Sequence, residues 1–378
     1  MIGERKLGEI MEMFNNVYKD KVVLVTGHTG FKGSWLSIWL NELGAKVIGY
    51  SLDTRTSKDN FELSDLSNKI VDIRGDVRDR EKLEQVFQEY NPEYVFHLAA
   101  QPLVRESYEK PVYTYEVNVM GTINVLECIR NSKNTKVGIF ITTDKCYENK
   151  EQVWGYKEID ALGGYDPYSS SKAACELLIN SWKQSFLNPN NYAEHGKTLA
   201  SVRAGNVVGG GDWAKDRIIP DCIRAIEDNQ EIEIRSPKAI RPWQHVLEPL
   251  RGYLLLGQKL TEDPIKYSGA WNFGPNIDSI ETVWKVAEKV IKYYGKGQCR
   301  DISNEKHLHE ANMLNLDISK AKFKLRWTPA LNIDETIKMT VEWYKNYMNC
   351  DVYKLCVEQI NLYMHKLNML SENRNISI

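Results

Sequence analysis

The sequence predicts an α/β fold: a doubly wound parallel sheet with helices on both faces, followed by a smaller C-terminal α/β substrate-binding portion. Residues 21–145 alternate short apolar runs with longer segments that carry apolar residues at helical spacing, and this alternation is typical of a parallel sheet covered on both faces. The first apolar run, at 22–25, leads into a glycine-rich turn and then into an amphipathic segment. A strand, a glycine turn and a helix in this order form the dinucleotide-binding unit of Rossmann-type folds.

The glycine-rich turn has the sequence GHTGFKG at residues 27–33, which is a GxxGxxG spacing. Behind it, Leu36, Trp39, Leu40 and Leu43 recur at the spacing of one helix face. The unpaired N–H groups and the dipole at a helix N-terminus favour an anion, and glycine lets the backbone approach it closely. The flanking strand and helix distinguish this turn from an ordinary tight turn. We therefore expect a dinucleotide pyrophosphate here, with contacts from Gly27, Thr29, Gly30, Phe31, Lys32 and Gly33.

The remaining elements follow from their apolar periodicity. A run that is apolar throughout indicates a buried strand, whereas apolar residues three and four apart indicate a helix. The sequence thus predicts strands at 46–52, 69–74, 93–100, 136–143 and 198–202, and helices at 78–90, 112–130 and 169–186. From about residue 209 the pattern changes to short mixed segments with scattered prolines, which indicates the second, smaller portion.

Four regions are expected along the chain. They are an N-terminal extension at 1–20, a dinucleotide-binding Rossmann domain at 21–208, a mainly substrate-binding domain at 209–350 that is interleaved with the first, and a C-terminal helix or tail at 351–378. Residues 351–370 mix apolar and polar positions, which predicts a loosely held helix. The last eight residues are mostly polar, which predicts a tail.

Composition and charge argue against several classes of protein. The chain has 378 residues, of which 42% are hydrophobic and 26% charged, as is ordinary for a globular protein. A net charge of −2 gives no electrostatic reason to expect nucleic-acid or membrane binding. No apolar run approaches the length of a membrane span, and the charged N-terminus lacks a signal-peptide core. Seven cysteines without a CxxC pair predict buried, reduced thiols in a cytoplasmic protein and no metal site.

Tyr168 and Lys172 form a YxxxK motif at the start of a predicted helix. Side chains four residues apart share a helix face, and a lysine ammonium beside a phenol lowers the pKa of the tyrosine. Such a tyrosine can take a proton from a sugar hydroxyl while a hydride leaves for a nicotinamide. Because YxxxK is common by chance, this prediction depends on the dinucleotide-binding turn that precedes it.

A second polar cluster, Thr142-Thr143-Asp144-Lys145, ends the strand predicted at 136–143. Ligands of parallel sheets bind beyond the carboxyl ends of the strands. A hydroxyl at this edge can share a hydrogen bond with the oxygen that Tyr168 deprotonates, and Asp144 and Lys145 add an acid and a base. On the local sequence alone, a solvated turn is the alternative.

Together these segments resemble the extended short-chain dehydrogenase/reductase family, and within it the nucleotide-sugar 4,6-dehydratases. The subgroup that acts on CDP-glucose is the most similar, because it shares the TTDK, GGGDW and RPWQHV sequences found here, whereas dTDP-glucose enzymes usually carry Thr-Asp-Glu and epimerases lack an acid at the position of Asp144. The resemblance extends over about residues 20–350. It is carried by VTGHTGFKGSWL (25–36), GDVRD (75–79), HLAAQPLVRESY (97–108), NVMGTINVLE (118–127), TTDKCYEN (142–149), DPYSSSKAACE (166–176), RAGNVVGGGDWAKDRIIPD (203–221), RPWQHVLEPL (241–250) and WNFGP (271–275).

The resemblance implies a hydro-lyase that converts CDP-D-glucose to CDP-4-keto-6-deoxy-D-glucose and water with bound NAD, for deoxysugar synthesis in O-antigen or another cell-surface polysaccharide. It implies that Tyr168 is the base for oxidation at C4, with Lys172 tuning it and Thr143 orienting the hydroxyl. Lys145 would then remove the C5 proton, Asp144 would protonate the departing C6 hydroxyl, and the hydride would return to C6. As a base Lys145 must be a neutral amine, which requires a depressed pKa.

The same resemblance implies binding residues outside the glycine turn. Asn118 would brace the active-site helix rather than touch the substrate. The implied cofactor contacts are Asp76 and Val77 beside the adenine, and Leu98, Ala99, Ala100, Gln101, Tyr168 and Lys172 along the rest of the molecule. The implied substrate contacts are Arg105, Asn206, Asp212, Trp213, Arg217, Arg241 and Trp243.

Several alternatives stay open at this point. Ser51 and Arg55, after the second strand, also suit the 2′-phosphate of NADP, although the whole-chain resemblance favours NAD. A dehydratase or epimerase for a dTDP-, UDP- or GDP-linked sugar is a second possibility. A non-catalytic NAD sensor is a third, against which the intact Thr143, Tyr168 and Lys172 argue. The family also implies a homodimer or higher homo-oligomer, formed through helices at 112–131 and 169–187.

Overall fold

The computed structural model describes residues 13–303 and 314–375. Its strands in chain order are β1 (Val22–Thr26), β2 (Lys46–Ser51), β3 (Val71–Arg74), β4 (Tyr94–His97), β5 (Val137–Ile141), β6 (Thr198–Ala204), β7 (Asn206–Val208), β8 (Ile232–Ile234), β9 (Ile240–His245), β10 (Gly269–Phe273), β11 (Ile280–Thr282) and β12 (Cys299–Asp301). Seven of them form a parallel central sheet in the order β10-β6-β5-β4-β1-β2-β3. This confirms the predicted doubly wound fold.

The helices flank this sheet. In chain order they are α1 (Phe31–Glu42), α2 (Asn60–Leu63), α3 (Arg80–Tyr90), α4 (Val104–Glu109), α5 (Pro111–Tyr115), α6 (Gly121–Asn131), α7 (Pro167–Ser185), α8 (Tyr192–His195), α9 (Ile218–Glu227), α10 (Leu247–Glu262), α11 (Pro264–Tyr267), α12 (Val283–Tyr294), α13 (Ile333–Asn346) and α14 (Val352–Asn375). None of the helices in these described stretches has an apolar run that would carry it across a membrane.

Both faces of the central sheet are buried. Side chains alternate between the faces of a strand, so Leu24 joins the core beneath α3, α6 and α7, while Val23 and Val25 join the core beneath α1, α10 and α14. The core beneath α1, α10 and α14 is the larger and includes Trp35 and Trp39 of α1. The glycine turn between β1 and α1 is thus built on a layer that is buried on both sides.

The second portion of the chain returns to the first sheet. β10 pairs with β6 at the sheet edge, and α10 packs on the sheet's larger core, although both follow residue 209. The rest forms a three-stranded sheet in the order β11-β9-β7 and a two-stranded pair, β8 with β12. This connectivity brings strands and helices that follow residue 209 back to the central sheet.

The helix predicted at 112–130 is divided. It begins as α5, widens into a π-turn at Glu116–Met120 and continues as α6. Such turns are frequent at functional sites. Here the turn carries Asn118, whose side chain bonds the backbone of Gln101 and the hydroxyl of Ser171. The expectation that Asn118 braces the active-site helix is therefore confirmed.

The C-terminal helix is firmly packed, so the expectation of a loosely held helix was wrong. Cys356, Ile360 and Tyr363 of α14 are fully buried against the larger core. The Tyr363 hydroxyl also donates to Oε2 of the buried Glu248 at 2.7 Å. The helix runs to residue 375, so most of the predicted polar tail is helical, and residues 376–378 lie outside the described residues.

At the other end, residues 1–12 of the predicted extension lie outside the described residues. The remainder is anchored by Tyr18, which is buried and donates a 2.6 Å hydrogen bond to the carbonyl of Leu254. All seven cysteines are free thiols. Five are buried as expected, but Cys299 is half-buried and Cys350 is exposed, because they lie at a short edge strand and after α13.

Candidate active site

One cleft of about 1290 Å³ opens at the carboxyl ends of the central strands, between the sheet and the second portion of the chain. Every residue that the sequence analysis proposed for catalysis, cofactor or substrate binding lines it. The cleft is larger than the ~300–1,000 Å³ of a usual small-molecule pocket. It therefore has room for two ligands side by side.

Backbone forms the wall of the cleft near β1. Gly27 has a φ of +77°, and a Cβ there would lie 2.7 Å from the backbone nitrogen of Ala99. A Cβ on Gly33 would lie 2.0 Å from the carbonyl oxygen of Gly27. Only glycine permits this turn at both positions, and no side chain caps the N-terminus of α1 at Gly30. The uncapped helix end next to a close-packed backbone suits a dinucleotide pyrophosphate.

The predicted redox pair, Tyr168 and Lys172, lies on α7. Asp166 caps this helix by accepting from the backbone nitrogen of Ser169 at 2.9 Å, and Pro167 occupies its first position. Tyr168 and Lys172 are both buried, and Nζ of Lys172 donates to the carbonyl of Ile141 at 3.2 Å.

The expected lowering of the Tyr168 pKa by Lys172 is wrong for this structure. Burial raises the pKa of Tyr168, and only the hydrogen bond with Thr143 acts in the opposite direction among the nearby catalytic groups. Burial also lowers the pKa of Lys172, whose ammonium is bonded to backbone instead of the phenol.

The second catalytic cluster forms a 3₁₀ turn, Asp144–Cys146, directly after β5. Thr143 caps it and donates to Oδ1 of Asp144 at 3.0 Å. Asp144 is buried, and burial raises the pKa of its carboxyl despite the opposing charges of Lys145 and Lys32. A carboxyl that stays protonated at higher pH is suited to act as a general acid. Lys145 is half-buried beside it in the cleft.

The opposite wall consists of charged side chains that pair with one another. Arg217 donates to Oδ2 of Asp212 at 2.6 Å. Asp216 accepts from Arg235 at 2.6 Å and lies 3.4 Å from Nη1 of Arg105. Asn206 and Arg241 also line this wall. These guanidinium groups suit phosphate oxygens, which they bind with a planar pair of donors.

The two tryptophans of this wall are mainly packing residues. Trp213 is buried edge-on against Tyr344 and Tyr347, with ring centroids 5.3 and 5.6 Å away. Trp243 is buried and its Nε1 donates to the carbonyl of Glu281 at 3.0 Å. Each reaches the cleft only with part of its ring.

The far end of the cleft lies at the ends of β2 and β3. Ser51 shares a 2.8 Å hydrogen bond with Thr29 of the glycine turn. Asp76 is paired with Arg78 at 2.7 Å, which holds the pKa of its carboxyl below the usual range even though burial opposes this. Along the floor run Leu98, Ala99, Ala100 and Gln101, which leave the sheet after His97, so that the strand predicted at 93–100 ends earlier.

Sequence reasoning missed several residues of the site. Arg235 follows the short strand β8. In the sequence, only its position after an alternating apolar run could have identified it as a site residue. Lys32 was assigned to the cofactor alone, but its pKa is lowered to about 8, first by burial and then by the charges of Arg217 and Lys172. Glu176 and Arg203, a buried pair behind the cleft, lie in segments that carry the family resemblance, but the sequence analysis gave them no role.

Comparisons with known proteins agree with this geometry. Over 350 residues the chain is 50% identical to a CDP-glucose 4,6-dehydratase of Salmonella typhimurium, covering 92% of this chain and 98% of that protein. A UDP-glucose 4-epimerase of Thermus thermophilus in complex with NAD superposes with a TM-score of 0.73 at 25% identity, over 86% of this chain and 99% of that one. A dTDP-glucose 4,6-dehydratase of Bacillus anthracis in complex with NAD gives a TM-score of 0.71 at 20% identity, over 86% and 97%. The family model for GDP-mannose 4,6 dehydratase matches residues 24–340, and the chain belongs to this family.

Proposed function

We propose that this chain is an NAD-dependent CDP-glucose 4,6-dehydratase, a hydro-lyase that forms CDP-4-keto-6-deoxy-D-glucose and water. The observation that carries the proposal is a buried acid, Asp144, next to Lys145 and in the same cleft as Tyr168 and Lys172. An enzyme that only moves hydride needs the tyrosine–lysine pair, whereas loss of water also needs a proton donor. The identity to the Salmonella typhimurium enzyme supports CDP-glucose as the substrate.

The residues of the redox step lie between the two ligands. NAD, when bound in the glycine-turn cradle, supplies the hydride acceptor for C4 and later the hydride for C6. Tyr168 takes the proton of the C4 hydroxyl, and Thr143 orients that hydroxyl from the end of β5. To take this proton Tyr168 must be a phenolate, an ionisation that burial opposes and that the charge of Arg217 and the hydrogen bond with Thr143 favour. Lys172 lies one turn away on the same helix face and donates to the carbonyl of Ile141.

The residues of the elimination step lie on the adjacent turn. A ketone at C4 acidifies the C5 proton, which Lys145 removes. Asp144 then donates its proton to the C6 oxygen, so that the group leaves as water rather than as hydroxide. Burial supports this role by raising the pKa of the carboxyl.

The arginine wall holds the nucleotide diphosphate. Arg217, Arg235 and Arg241 line one side of the cleft, and Arg105 faces them from α4. Each paired carboxylate, Asp212 or Asp216, must share its arginine with the incoming phosphates.

We also propose a homodimer in the cytoplasm that serves deoxysugar synthesis for surface polysaccharides. Val112, Tyr115 and Met120 are exposed along α5 and the π-turn, and Leu177 and Phe186 are exposed on and after α7. Large apolar side chains on two neighbouring helices favour burial by a second copy. The free thiols suit a reducing compartment.

The test of function is an incubation of the purified protein with CDP-, dTDP-, UDP- and GDP-glucose, followed by mass spectrometry of the products. We expect CDP-glucose to lose one water and form a 4-keto sugar that absorbs strongly in alkali. An isomer of unchanged mass would indicate an epimerase instead. Bound NAD without any product would indicate a sensor.

A further inference from the structure

The turn that carries Thr143, Asp144 and Lys145 is held at both ends by one buried ion pair. The pair is Glu176 on α7 and Arg203 on β6, with Arg203 Nη2 to Glu176 Oε2 at 2.7 Å. Their side chains are 2% and 3% exposed, and neither residue lines the cleft. Contact with a ligand therefore does not explain the pair.

Glu176 holds the beginning of the turn. Its Oε1 accepts from the Thr142 hydroxyl at 2.5 Å, directly before Thr143. Its Oε2 accepts from the Ser201 hydroxyl at 2.7 Å as well as from Arg203. Burial would raise the pKa of this carboxyl, but the charge of Arg203 and the three hydrogen bonds outweigh it, so the net shift is downward and Glu176 is ionised.

Arg203 holds the end of the turn. Its Nη1 donates to the Tyr147 hydroxyl at 2.7 Å, and the guanidinium lies 4.8 Å from the centroid of the same ring. The Tyr147 hydroxyl in turn donates to Oδ1 of Asn272 on β10 at 2.8 Å. Three hydrogen bonds thus connect Thr142 to Tyr147 through the pair, and they fix the turn to β6 and β10 of the central sheet.

Helix periodicity links this pair to the redox group. Tyr168, Lys172 and Glu176 follow one another at intervals of four residues and share one face of α7. The same face therefore presents Tyr168 and Lys172 to the cleft. Behind the cleft it carries the Glu176 carboxylate, which holds the turn proposed for elimination.

Stability does not account for such a pair. Taking two charges out of water costs about as much as their attraction returns, and apolar residues of similar volume are often as stable. What such a buried pair adds is a defined geometry, because both Glu176 oxygens and both terminal nitrogens of Arg203 have to meet their partners.

We propose that Glu176 and Arg203 are positioning residues, which fix the 142–147 turn against α7 so that Asp144 and Lys145 meet C6 and C5 of the sugar whose C4 is held by Tyr168. The inference rests on the proposed function. It assigns no contact with substrate or cofactor to either residue.

Replacing Glu176 or Arg203 leaves an unpaired buried charge, and such variants are expected to unfold in part. Thr142→Val and Tyr147→Phe instead release each end of the turn while keeping the pair. Thr198→Val is the matched control for the first, since Thr198 is buried on the same strand as Arg203 and its hydroxyl donates to the carbonyl of Pro264, away from the turn. Tyr18→Phe is the control for the second.

With CDP-glucose, the double variant Thr142→Val/Tyr147→Phe is expected to lose about 10- to 100-fold in kcat, since a displacement near 1 Å has this effect. KM and affinity for NAD should stay within about twofold, because Thr142 and Tyr147 belong neither to the glycine turn nor to the arginine wall. The steady-state absorbance of reduced nicotinamide should rise, because oxidation proceeds while elimination is slowed. Exchange of solvent deuterium into C5 should slow by the same factor as kcat.

Unchanged kcat in the double variant would overturn the proposal. So would a fall in kcat that is matched by the controls, or one that comes without more reduced nicotinamide, because either points to general loss of stability. If the wild type forms no 4-keto product from CDP-glucose, the proposed function fails first and the positioning role fails with it. If the wild type turns over CDP-glucose normally, the kinetics of the variants test the positioning role alone.

Discussion

One wall of the cleft consists of backbone groups, and the other consists of charged side chains. Near β1 the wall is backbone, closed by Gly27 and Gly33, and it offers N–H groups with no side chain in front of them. Across the cleft the wall is made of Arg217 and Arg235, each already bonded to an aspartate. The backbone wall has a single conformation, whereas the arginines of the other wall can exchange one bonding partner for another.

This difference matches the fate of the two ligands. A cofactor that is restored in every turnover can stay bound, and a rigid backbone cradle holds it without ordering any side chain. A substrate must enter and leave, and arginines that return to Asp212 and Asp216 are never left without a partner. Substitutions in the backbone wall should therefore either abolish ligand binding and activity or leave them unchanged. Substitutions in the arginine wall should change them by graded amounts.

The largest effect is expected from Gly30→Val. A Cβ at Gly30 meets only the carbonyl of Gly27, at 3.3 Å, and otherwise points into the cleft, so the fold should persist while the pyrophosphate is displaced. We expect no bound NAD after purification, no activity and no thermal protection by added NAD.

Gly274→Ala is the control, because its Cβ would meet side chains of Leu316 and Ile318 at 3.4–3.5 Å, outside the cleft. It should keep both NAD and activity. Normal affinity for NAD in Gly30→Val would refute the placement of the pyrophosphate, and an unfolded circular dichroism spectrum would refute the claim that Gly30 faces the ligand.

The next largest effect is expected from Asp144→Asn, which distinguishes the proposed elimination step from the oxidation step. Asp144→Asn keeps the size of the side chain but cannot donate the proton, so elimination should slow by about 10²–10⁴-fold. Oxidation at C4 should continue, and the absorbance of reduced nicotinamide should build up on mixing with CDP-glucose. Because burial raises the pKa of Asp144, the wild-type elimination rate should decline only at a higher pH than for an ordinary carboxyl.

Tyr168→Phe provides the contrast. It removes the acid–base hydroxyl of the first step, so turnover should fall by a similar ~10²–10⁴-fold without any build-up of reduced nicotinamide. If Asp144→Asn also lacks the absorbance, the acid acts in oxidation and the division of roles is wrong.

The same contrast between walls explains what the sequence could predict. The glycine turn, the strand–helix alternation and the Tyr168/Lys172 spacing are local patterns, and the structure reproduces them within a few residues. Pairings such as Asp216 with Arg235, or Glu176 with Arg203, join residues that lie 19 and 27 positions apart. No periodicity records such pairings, because they depend on how strands and loops pack. The direction of the Tyr168 pKa shift was missed for the same reason, since burial of the phenol, which raises its pKa, depends on packing.

A moderate effect is expected on the arginine wall from Arg217→Lys. Lysine keeps the charge but loses the planar pair of donors, so KM for CDP-glucose should rise about tenfold with kcat within about threefold. Arg251→Lys is the matched control, because Arg251 is bonded to the Thr328 carbonyl outside the cleft and should change only stability. A loss confined to kcat would place Arg217 at the reacting sugar rather than at the phosphates.

The smallest effect, and the one with the most informative sign, is expected from Asp216→Asn. Asp216 is 39% exposed and draws on both Arg235 and Arg105, so it competes with the substrate phosphates for the same donors. Removing its charge should free both arginines and lower KM about two- to threefold, the size expected when an exposed ion pair is lost. Because the competition is electrostatic, the difference from wild type should shrink as salt is added. Steady-state kinetics at low and high salt measure both effects. A rise in KM would mean that Asp216 holds the arginines in place for the substrate, and the arginine wall would then be as preformed as the backbone wall opposite.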